Sequence, residues 1–274
     1  MPKYTGRKAV VVGGTTQAGL AIAKRLVEGG ARVLLTCGTA HGLADAADRL
    51  GPTASLVACD LSAANTPDAA AAFASTAESS FGTIDMLFVG AEPRTAERLA
   101  KAETEPEPGT EPGMETAPEK ESGAERYDRQ FTATAKGAYV AARTLAPLVA
   151  DGGAIVFTTV AADACRPGTP DAGVHAMTAS AVHALARVLA VELADRGIRV
   201  NAVSPGAIDA PADGAARAPR RDVAPLLGRL GSVDEVARAA LFLAADATFT
   251  TGTVLTVDGG LGSCGDRPRP APRD

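Results

Sequence analysis

Aromatic side chains are scarce in this chain of 274 residues: tryptophan is absent, and aromatic residues together make up 4%. Proteins that bind single-stranded nucleic acid stack bases on aromatic rings, and proteins that bind duplexes present clustered positive charge. The formal net charge of this chain is -5. We therefore expect no nucleic-acid partner, and a core that is built mainly from small aliphatic residues.

Cysteines and long apolar segments are also few. The four cysteines are scattered, without the close pairs of a zinc site or a redox motif. No apolar run approaches the roughly 20 residues that span a bilayer, and the N-terminus lacks the pattern of a secretory signal. The sequence therefore predicts no metal site, no membrane partner and a cytoplasmic location. The remaining composition, 46% hydrophobic and 22% charged, is typical of a globular protein.

Short apolar runs alternate with helical periodicity along most of the chain. Spacing of apolar residues predicts helices between the runs, and residues 67–81, 177–195 and 232–244 are the clearest. Strands that alternate with helices form a doubly wound parallel sheet with helices on both faces. We therefore predict a single α/β, Rossmann-like domain over residues 1–265. The predicted strands are residues 9–12, 32–35, 55–59, 84–89, 154–157, 199–203 and 253–257.

Two segments interrupt this pattern. Residues 92–126 contain ten Glu and five Pro and almost no large apolar side chains. Such a segment cannot bury enough apolar surface to offset the entropy of ordering it. The composition favours a mobile acidic insertion, and an ordered lid is the alternative. Residues 266–274 are predicted to form a disordered tail.

A glycine-rich turn, from Gly13 to Gly19, connects the first predicted strand to the first helix. In a doubly wound sheet this turn binds a pyrophosphate, because glycines let the backbone approach the ligand and the helix N-terminus supplies oriented N–H groups. Asp60, at the end of the third predicted strand, is placed to accept a hydrogen bond from an adenine amino group. The sequence therefore predicts a dinucleotide site.

Several further motifs follow one another in an order that resembles the short-chain dehydrogenase/reductase family. The resemblance runs from about residue 6 to residue 262 and implies a nicotinamide dinucleotide cofactor and a small-molecule substrate. The matching segments are residues 20–26, 59–61, 136–138, 197–206, 228–231 and 257–260.

The resemblance also implies a set of cofactor-binding residues, with departures from the family pattern. Gln17 stands at the middle glycine of the first motif, and Glu92 replaces the last glycine of the motif after the fourth strand. Residues 36–39 contain neither an acidic side chain for a ribose diol nor an arginine for a 2′-phosphate; the missing carboxylate favours NADP(H) over NAD(H). The cofactor candidates are Gly13, Thr15, Thr16, Gln17, Ala18, Gly19, Cys37, Gly38, Thr39, Asp60, Leu61, Gly90, Ala91, Pro205, Gly206 and Ile208.

The family's catalytic residues are a Tyr and a Lys four residues apart, a Ser and an Asn. In this sequence His175 stands at the tyrosine, Ala179 at the lysine and Thr134 at the asparagine. Val160 stands at the serine, and Thr159 precedes it. Imidazole can donate or accept a proton without a lysine neighbour. We therefore take His175, Thr159 and Thr134 as candidate catalytic residues of a divergent family member. The alternative for His175 is a surface or helix-start histidine that has no role.

The other two histidines and a group of three arginines are not assigned to the site. His183 falls one residue beyond a core-facing position of the long helix, and His41 is placed in a loop; neither is given a role. Arg217, Arg220 and Arg221 fall where relatives cover their substrate. A solvated loop is favoured for them over contacts with an anionic substrate or with a carrier's phosphopantetheine.

Three functions are consistent with these residues. The first is an NADP(H)-dependent ketoreductase; a composition rich in Ala, Gly, Arg and Pro resembles that of actinobacteria, where divergent relatives tailor polyketide-like natural products. The second is a cofactor-independent cyclase, dehydratase or isomerase that uses His175. Gln17 and Glu92 favour this function, because they oppose a dianionic pyrophosphate sterically and electrostatically. The third is a non-catalytic subunit paired with an active paralogue. We rank the first slightly ahead, and the resemblance implies a homodimer or homotetramer.

Overall fold

The computed structural model describes residues 2–13, 16–37, 40–51, 54–58, 67–91, 122–159, 172–209 and 225–263. Its main strands are Lys8–Val12 (β1), Arg32–Cys37 (β2), Ala54–Ala58 (β3), Ile84–Gly90 (β4), Val149–Thr158 (β5), Arg199–Pro205 (β6) and Val254–Val257 (β9). They form one parallel sheet in the order β3-β2-β1-β4-β5-β6-β9. Two short strands, Ile208–Asp209 (β7) and Gly231–Ser232 (β8), pair separately.

Helices connect these strands. They are Gln17–Glu28 (α1), Ala40–Leu50 (α2), Pro67–Phe81 (α3), Gly123–Phe131 (α4), Gly137–Leu145 (α5), Ala172–Glu192 (α6) and Val233–Leu241 (α7). A π-helical turn, Thr132–Lys136, joins α4 to α5, and a second one, Phe242–Asp246, follows α7. The predicted doubly wound parallel α/β fold is confirmed.

The sheet is buried on both faces. Val10, Leu87 and Ile155 belong to one core cluster, which includes residues of α3, α5 and α6. Val11 and Phe88, their neighbours along the strands, belong to a second cluster on the opposite face, with residues of α1 and α7. Successive side chains of a strand point to opposite faces. Both faces are covered, and this explains why the strands read as continuous apolar runs rather than as alternating ones.

Several element boundaries differ from the predictions. Strand β5 runs from Val149 to Thr158 rather than over residues 154–157, and His41, predicted in a loop, lies in α2. The long helix α6 begins at Ala172 rather than at residue 177, and it ends at Glu192. The acidic insertion was predicted to extend to residue 126, whereas α4 already begins at Gly123. The Ser122 hydroxyl caps this helix, and Glu125 returns a hydrogen bond to the Ser122 backbone, which is a capping box. Residues 92–121 and the predicted tail lie outside the described residues.

Helix α6 is apolar along most of its length. Its 21 residues have a mean hydropathy of 1.4 over the best 18-residue window, which by length and composition is enough to cross a membrane. Polar residues, among them Thr178, His183 and Arg187, interrupt this helix, so it is not an uninterrupted apolar run. Val182, Ala186 and Leu189 are buried in the core under the sheet. Core helices of this kind pass the same test, so α6 is weak evidence for a membrane.

Candidate functional site

The order of the strands reverses between β1 and β4, and this places a crevice at their carboxyl ends, where ligands of open α/β sheets bind. Gly13 leaves β1 with φ +81°, and a Cβ on it would lie 3.4 Å from the carbonyl oxygen of Gly90. The N–H of Gly13 donates to Oγ1 of Thr36 at 3.0 Å. The left-handed backbone conformation therefore requires glycine at position 13, whereas the distance to β4 is an ordinary van der Waals contact.

Thr16 closes the turn on the first helix. Its backbone N–H donates to the carbonyl of Gly13 at 2.9 Å, and its Oγ1 accepts from the N–H of Gly19 at 3.0 Å. A Cβ on Gly19 would lie 2.6 Å from the Gly13 oxygen, so no larger residue fits there without moving the backbone. Ala18 is buried. The first N–H groups of an α-helix lack intrahelical partners, and such groups bind phosphates.

These residues fit the pyrophosphate of a dinucleotide. Side chains are missing at Gly13, Gly19 and Gly90, and a Cβ on Gly90 would lie 3.3 Å from the carbonyl oxygen of Val12. The backbone can therefore approach a ligand closely. Gln17, the first residue of α1, has a half-buried side chain whose Oε1 atom is enclosed by the protein.

The carboxyl ends of β4, β5 and β6 bring further predicted residues together. Gly90 pairs with Thr158, and the N–H of Ala91 donates to the Thr158 carbonyl at 2.8 Å. The N–H of Thr159 donates in turn to the carbonyl of Val203 at 3.0 Å. Ala91 and Thr159 are thus fixed side by side along one edge of the sheet.

Pro205, Gly206 and Ile208 lie farther along this edge. Pro205 is the last residue of β6, and Gly206 donates its N–H to the carbonyl of Val257 at 2.8 Å. A Cβ on Gly206 would lie 2.4 Å from Cα of Asp258, so tight packing against Asp258 accounts for this glycine. Ile208 pairs with Gly231 in the small second sheet.

Part of the predicted site lies outside the described residues. Of Cys37, at the end of β2, only the backbone is described. Among the residues that are described, no group of three or more His, Cys, Asp or Glu side chains is placed to hold a metal ion. The predicted residues outside the description are Thr15, Gly38, Thr39, Asp60, Leu61, Glu92, Val160, Arg217, Arg220 and Arg221.

His175 and Thr134 meet through a residue that sequence reasoning missed, Gln130. The side-chain amide nitrogen of Gln130, near the end of α4, contacts Nδ1 of His175 in the first turn of α6. Oγ1 of Thr134 donates to the backbone carbonyl of Gln130 at 2.6 Å. Thr134 is 1% exposed, and a hydroxyl has one proton to donate. Thr134 therefore anchors the backbone of Gln130.

Thr159 pairs with His183 rather than with His175. Its Oγ1 lies 3.2 Å from Nε2 of His183 and 3.4 Å from the carbonyl oxygen of Val203, and Thr159 is fully buried. The interpretation that gave His183 no role did not foresee this contact. A sequence signal for it exists, because His175, Ala179 and His183 follow one another at intervals of four residues and so share one face of α6. His183 is about 12 Å farther along the helix axis than His175.

The electrostatic environment keeps His183 neutral. Burial lowers the pKa of its imidazole below the ordinary value of 6.5, and the cation of Arg187, one helical turn away, lowers it further. A neutral imidazole can share a hydrogen bond with the Thr159 hydroxyl in either tautomer.

The lowered pKa of His183 predicts a loss of stability in mild acid. The unfolded chain binds the proton more strongly, so the unfolding free energy is undiminished above about pH 6.5 and falls as the pH drops towards the folded-state pKa. Urea denaturation at about pH 7.5 and about pH 5.5 should show a smaller acid loss in His183→Gln than in the unmodified protein. Equal losses in the two proteins would contradict this assignment.

Glu235 does not interfere with that measurement. Its hydrogen bond to the Arg229 guanidinium and those to Ser232 lower the pKa of its carboxyl to about 2. It therefore changes charge well below the window in which His183 titrates.

Comparisons with known proteins agree with this architecture. Residues 110–262, more than half of the chain, match a family model described as enoyl-(acyl carrier protein) reductase. An uncharacterized oxidoreductase of Methylorubrum extorquens is 30% identical over 95% of this chain and 100% of its own length. A double mutant of a Serratia marcescens short-chain dehydrogenase/reductase superposes with a TM-score of 0.75 at 27% identity, over 94% of this chain and 99% of the other.

A second solved structure carries a cofactor. It is a blue fluorescent protein from a metagenomic library in complex with NADPH, with a TM-score of 0.71 at 26% identity over 94% of this chain and 99% of that one. The parallel sheet, the glycine cradle at its topological switch point and these similarities agree with one another. The chain belongs to the short-chain dehydrogenase/reductase family.

Proposed function

We propose that this chain is an NADP(H)-dependent ketoreductase in which His175 does the work of the family's tyrosine. The observation that carries the proposal is the contact between Nδ1 of His175 and the side chain of Gln130. It fixes an imidazole in the first turn of α6, where the resemblance places the tyrosine. An imidazole held in this way can present its other nitrogen, Nε2, to a substrate oxygen.

The first turn supports binding of the dinucleotide. The backbone N–H of Ala18, in the first turn of α1, would hold the pyrophosphate, Gly13 and Gly19 would let the backbone approach it, and Gly90 and Ala91 would line the path towards the nicotinamide. Bound NADPH would supply a hydride to the carbonyl carbon of the substrate. The preference for NADP(H) rests on the missing carboxylate after β2 and on the structural neighbour that holds NADPH.

The residues of this chain then act on the substrate oxygen. Nε2–H of His175 donates a hydrogen bond to the carbonyl oxygen, which polarises the C=O bond and stabilises the negative charge that develops on the oxygen. One carbonyl substrate, one hydride and one proton from water give one alcohol and the oxidised dinucleotide. Thr159 is already engaged with His183 and Val203, so we assign it to shaping the end of β5 rather than to proton transfer.

Composition supports a substrate class. The chain is rich in Ala, Gly, Arg and Pro, which resembles the composition of proteins from GC-rich actinobacterial genomes, and we therefore propose a polyketide-like ketone. The scarcity of aromatic side chains, 4% of residues, favours an aliphatic cleft over one that stacks on flat rings.

Titration with the two nicotinamide dinucleotides tests this function. We expect NADPH fluorescence to change on binding to the purified protein, with affinity at least about tenfold higher than that of NADH, which corresponds to about 1.4 kcal/mol. If NADPH does not bind at millimolar concentration, the reductase is excluded. A cofactor-independent enzyme that uses His175, or a non-catalytic subunit, would then remain.

We also propose that the protein forms a homodimer through α6 and its neighbours. One stripe of residues lies on α6 and a second runs from the end of α4 into α5, and the groove between the two stripes has a volume of about 290 Å³. The stripe on α6 contains the exposed side chains of Met177 and Val188. Across a twofold axis, the α6 stripe of each subunit can pack into the groove of the other, so that one face pairs with its own copy. The residues that line the groove are Phe131, Ala135, Lys136, Tyr139, Ala181 and Leu185.

A charged side chain in this face is expected to separate the subunits. Val188 is 53% exposed, so Val188→Glu leaves the core intact but buries a carboxylate in the proposed interface. Size-exclusion chromatography with light scattering should show a dimer for the unmodified protein and a monomer for Val188→Glu. Ala72→Glu, at an exposed position of α3, is the control and should remain dimeric. A monomeric unmodified protein would refute the proposed dimer.

A further inference from the structure

Gln130 holds His175 from a different helix and is itself held at two points. Its side-chain nitrogen contacts Nδ1 of His175 across the α4–α6 packing, and its backbone carbonyl accepts a hydrogen bond from Thr134. Stacking of Tyr127 on Phe131, with ring centroids 5.6 Å apart, steadies the same end of α4. The amide therefore approaches the imidazole from a backbone whose position is fixed.

The chemistry of the two groups determines where the proton of the imidazole lies. In the orientation of the Gln130 amide that places its nitrogen against the ring, the amide donates and Nδ1 accepts. A neutral imidazole has one N–H group, and the hydrogen bond made at one nitrogen decides which nitrogen carries it. With Nδ1 accepting, the proton lies on Nε2.

We propose that Gln130 is a positioning residue that holds the His175 imidazole in its Nε2–H tautomer. The catalytic consequence rests on the proposed function, because a carbonyl oxygen needs a donor, and only this tautomer offers one at Nε2. Gln130 is uncharged, so it orients the ring without supplying the negative charge that would favour imidazolium. In this way the contact replaces orientation by a lysine neighbour, which Ala179 cannot provide.

Nitrogen NMR of the three histidines tests the assignment directly, because the ¹⁵N shifts of a ring distinguish its protonated from its unprotonated nitrogen. The protein is labelled with [¹⁵N]histidine, and the signals of His175 are identified by their absence from His175→Gln. At a pH where the ring is neutral, we expect the proton on Nε2 in the unmodified protein. In Gln130→Glu a carboxylate can only accept, and we expect the proton on Nδ1.

Asp128→Asn is the matched control, since it changes one exposed carboxylate on the same helix and should leave the His175 signals unchanged. Gln130→Met keeps the length of the side chain without a hydrogen bond. If Gln130→Glu fails to fold by circular dichroism, Gln130→Met should show a mixture of both tautomers. A proton on Nδ1 in the unmodified protein, or Nε2–H unchanged in a folded Gln130→Glu or Gln130→Met, would overturn the proposal.

Kinetics separates this proposal from the proposed function. In Gln130→Glu we expect kcat for ketone reduction to fall by about 100-fold, the scale of a lost hydrogen-bond donor to a developing oxyanion, with the KM for NADPH unchanged. Tautomer shifts as described, in a protein that does not bind NADPH, would support the role of Gln130 in orienting His175 and refute the reductase. A kcat that is unchanged when the tautomer has shifted would overturn the catalytic part of the proposal.

Discussion

Replacement of His175 by alanine is expected to lower kcat for NADPH-dependent ketone reduction by about 10²- to 10³-fold, the usual contribution of a positioned hydrogen-bond donor to a developing oxyanion. The substitution removes the Nε2–H group that holds the substrate oxygen. It leaves the glycine cradle around Gly13 intact, so the dissociation constant of NADPH should stay the same. Steady-state kinetics with a panel of ketones, together with NADPH fluorescence titration, measures both quantities.

Ser180→Ala is the control for His175→Ala. Ser180 is an exposed residue of the same helix, and its truncation should leave both kcat and NADPH binding unchanged. If His175→Ala retains the full kcat, the imidazole takes no part in the reaction and another donor must be sought.

Gly19→Val is expected to abolish measurable NADPH binding and to lower the free energy of unfolding by about 1–3 kcal/mol, the usual cost of overpacking. The new Cβ would lie 2.6 Å from the carbonyl oxygen of Gly13. Because that atom belongs to the backbone, the whole turn must move, and the cradle for the pyrophosphate moves with it. Urea denaturation and NADPH titration report the two effects separately.

Gly123→Val provides the comparison. A Cβ on Gly123, the first residue of α4, has no atom within 4 Å, so stability and NADPH binding should change little. If Gly19→Val binds NADPH as tightly as the unmodified protein, the cofactor does not lie on this turn.

Much of the fold could be predicted because local and global signals agree. Helix α3 has the predicted bounds, Pro67–Phe81, since proline begins it and its apolar spacing continues to the end. The start of α6 could not be read in the same way. Its first turn contains Gly173 and His175 and lacks regular apolar spacing, and packing against α4 orders it. Periodicity alone reports which face is buried, and this turn is not part of the buried face.

The candidate site could be predicted from the sequence only where the backbone requires a glycine. Gly13 has a positive φ and Gly19 stands where a Cβ would clash with a backbone oxygen, and a glycine-rich turn after a strand signals both demands. Gly206 was assigned to the cofactor, although its packing against Asp258 explains it. The contact of Gln130 with His175 joins residues 45 positions apart, so no local pattern could reveal it.

We propose that this chain transfers a hydride from NADPH to a ketone with His175 beside the reacting oxygen. The most direct test supplies NADPH that is deuterated on the transferred position and analyses the product alcohol by mass spectrometry. We predict one deuterium on the carbinol carbon with the unmodified protein, and very little product with His175→Ala. Product formed without NADPH, or an alcohol without deuterium, would contradict the account.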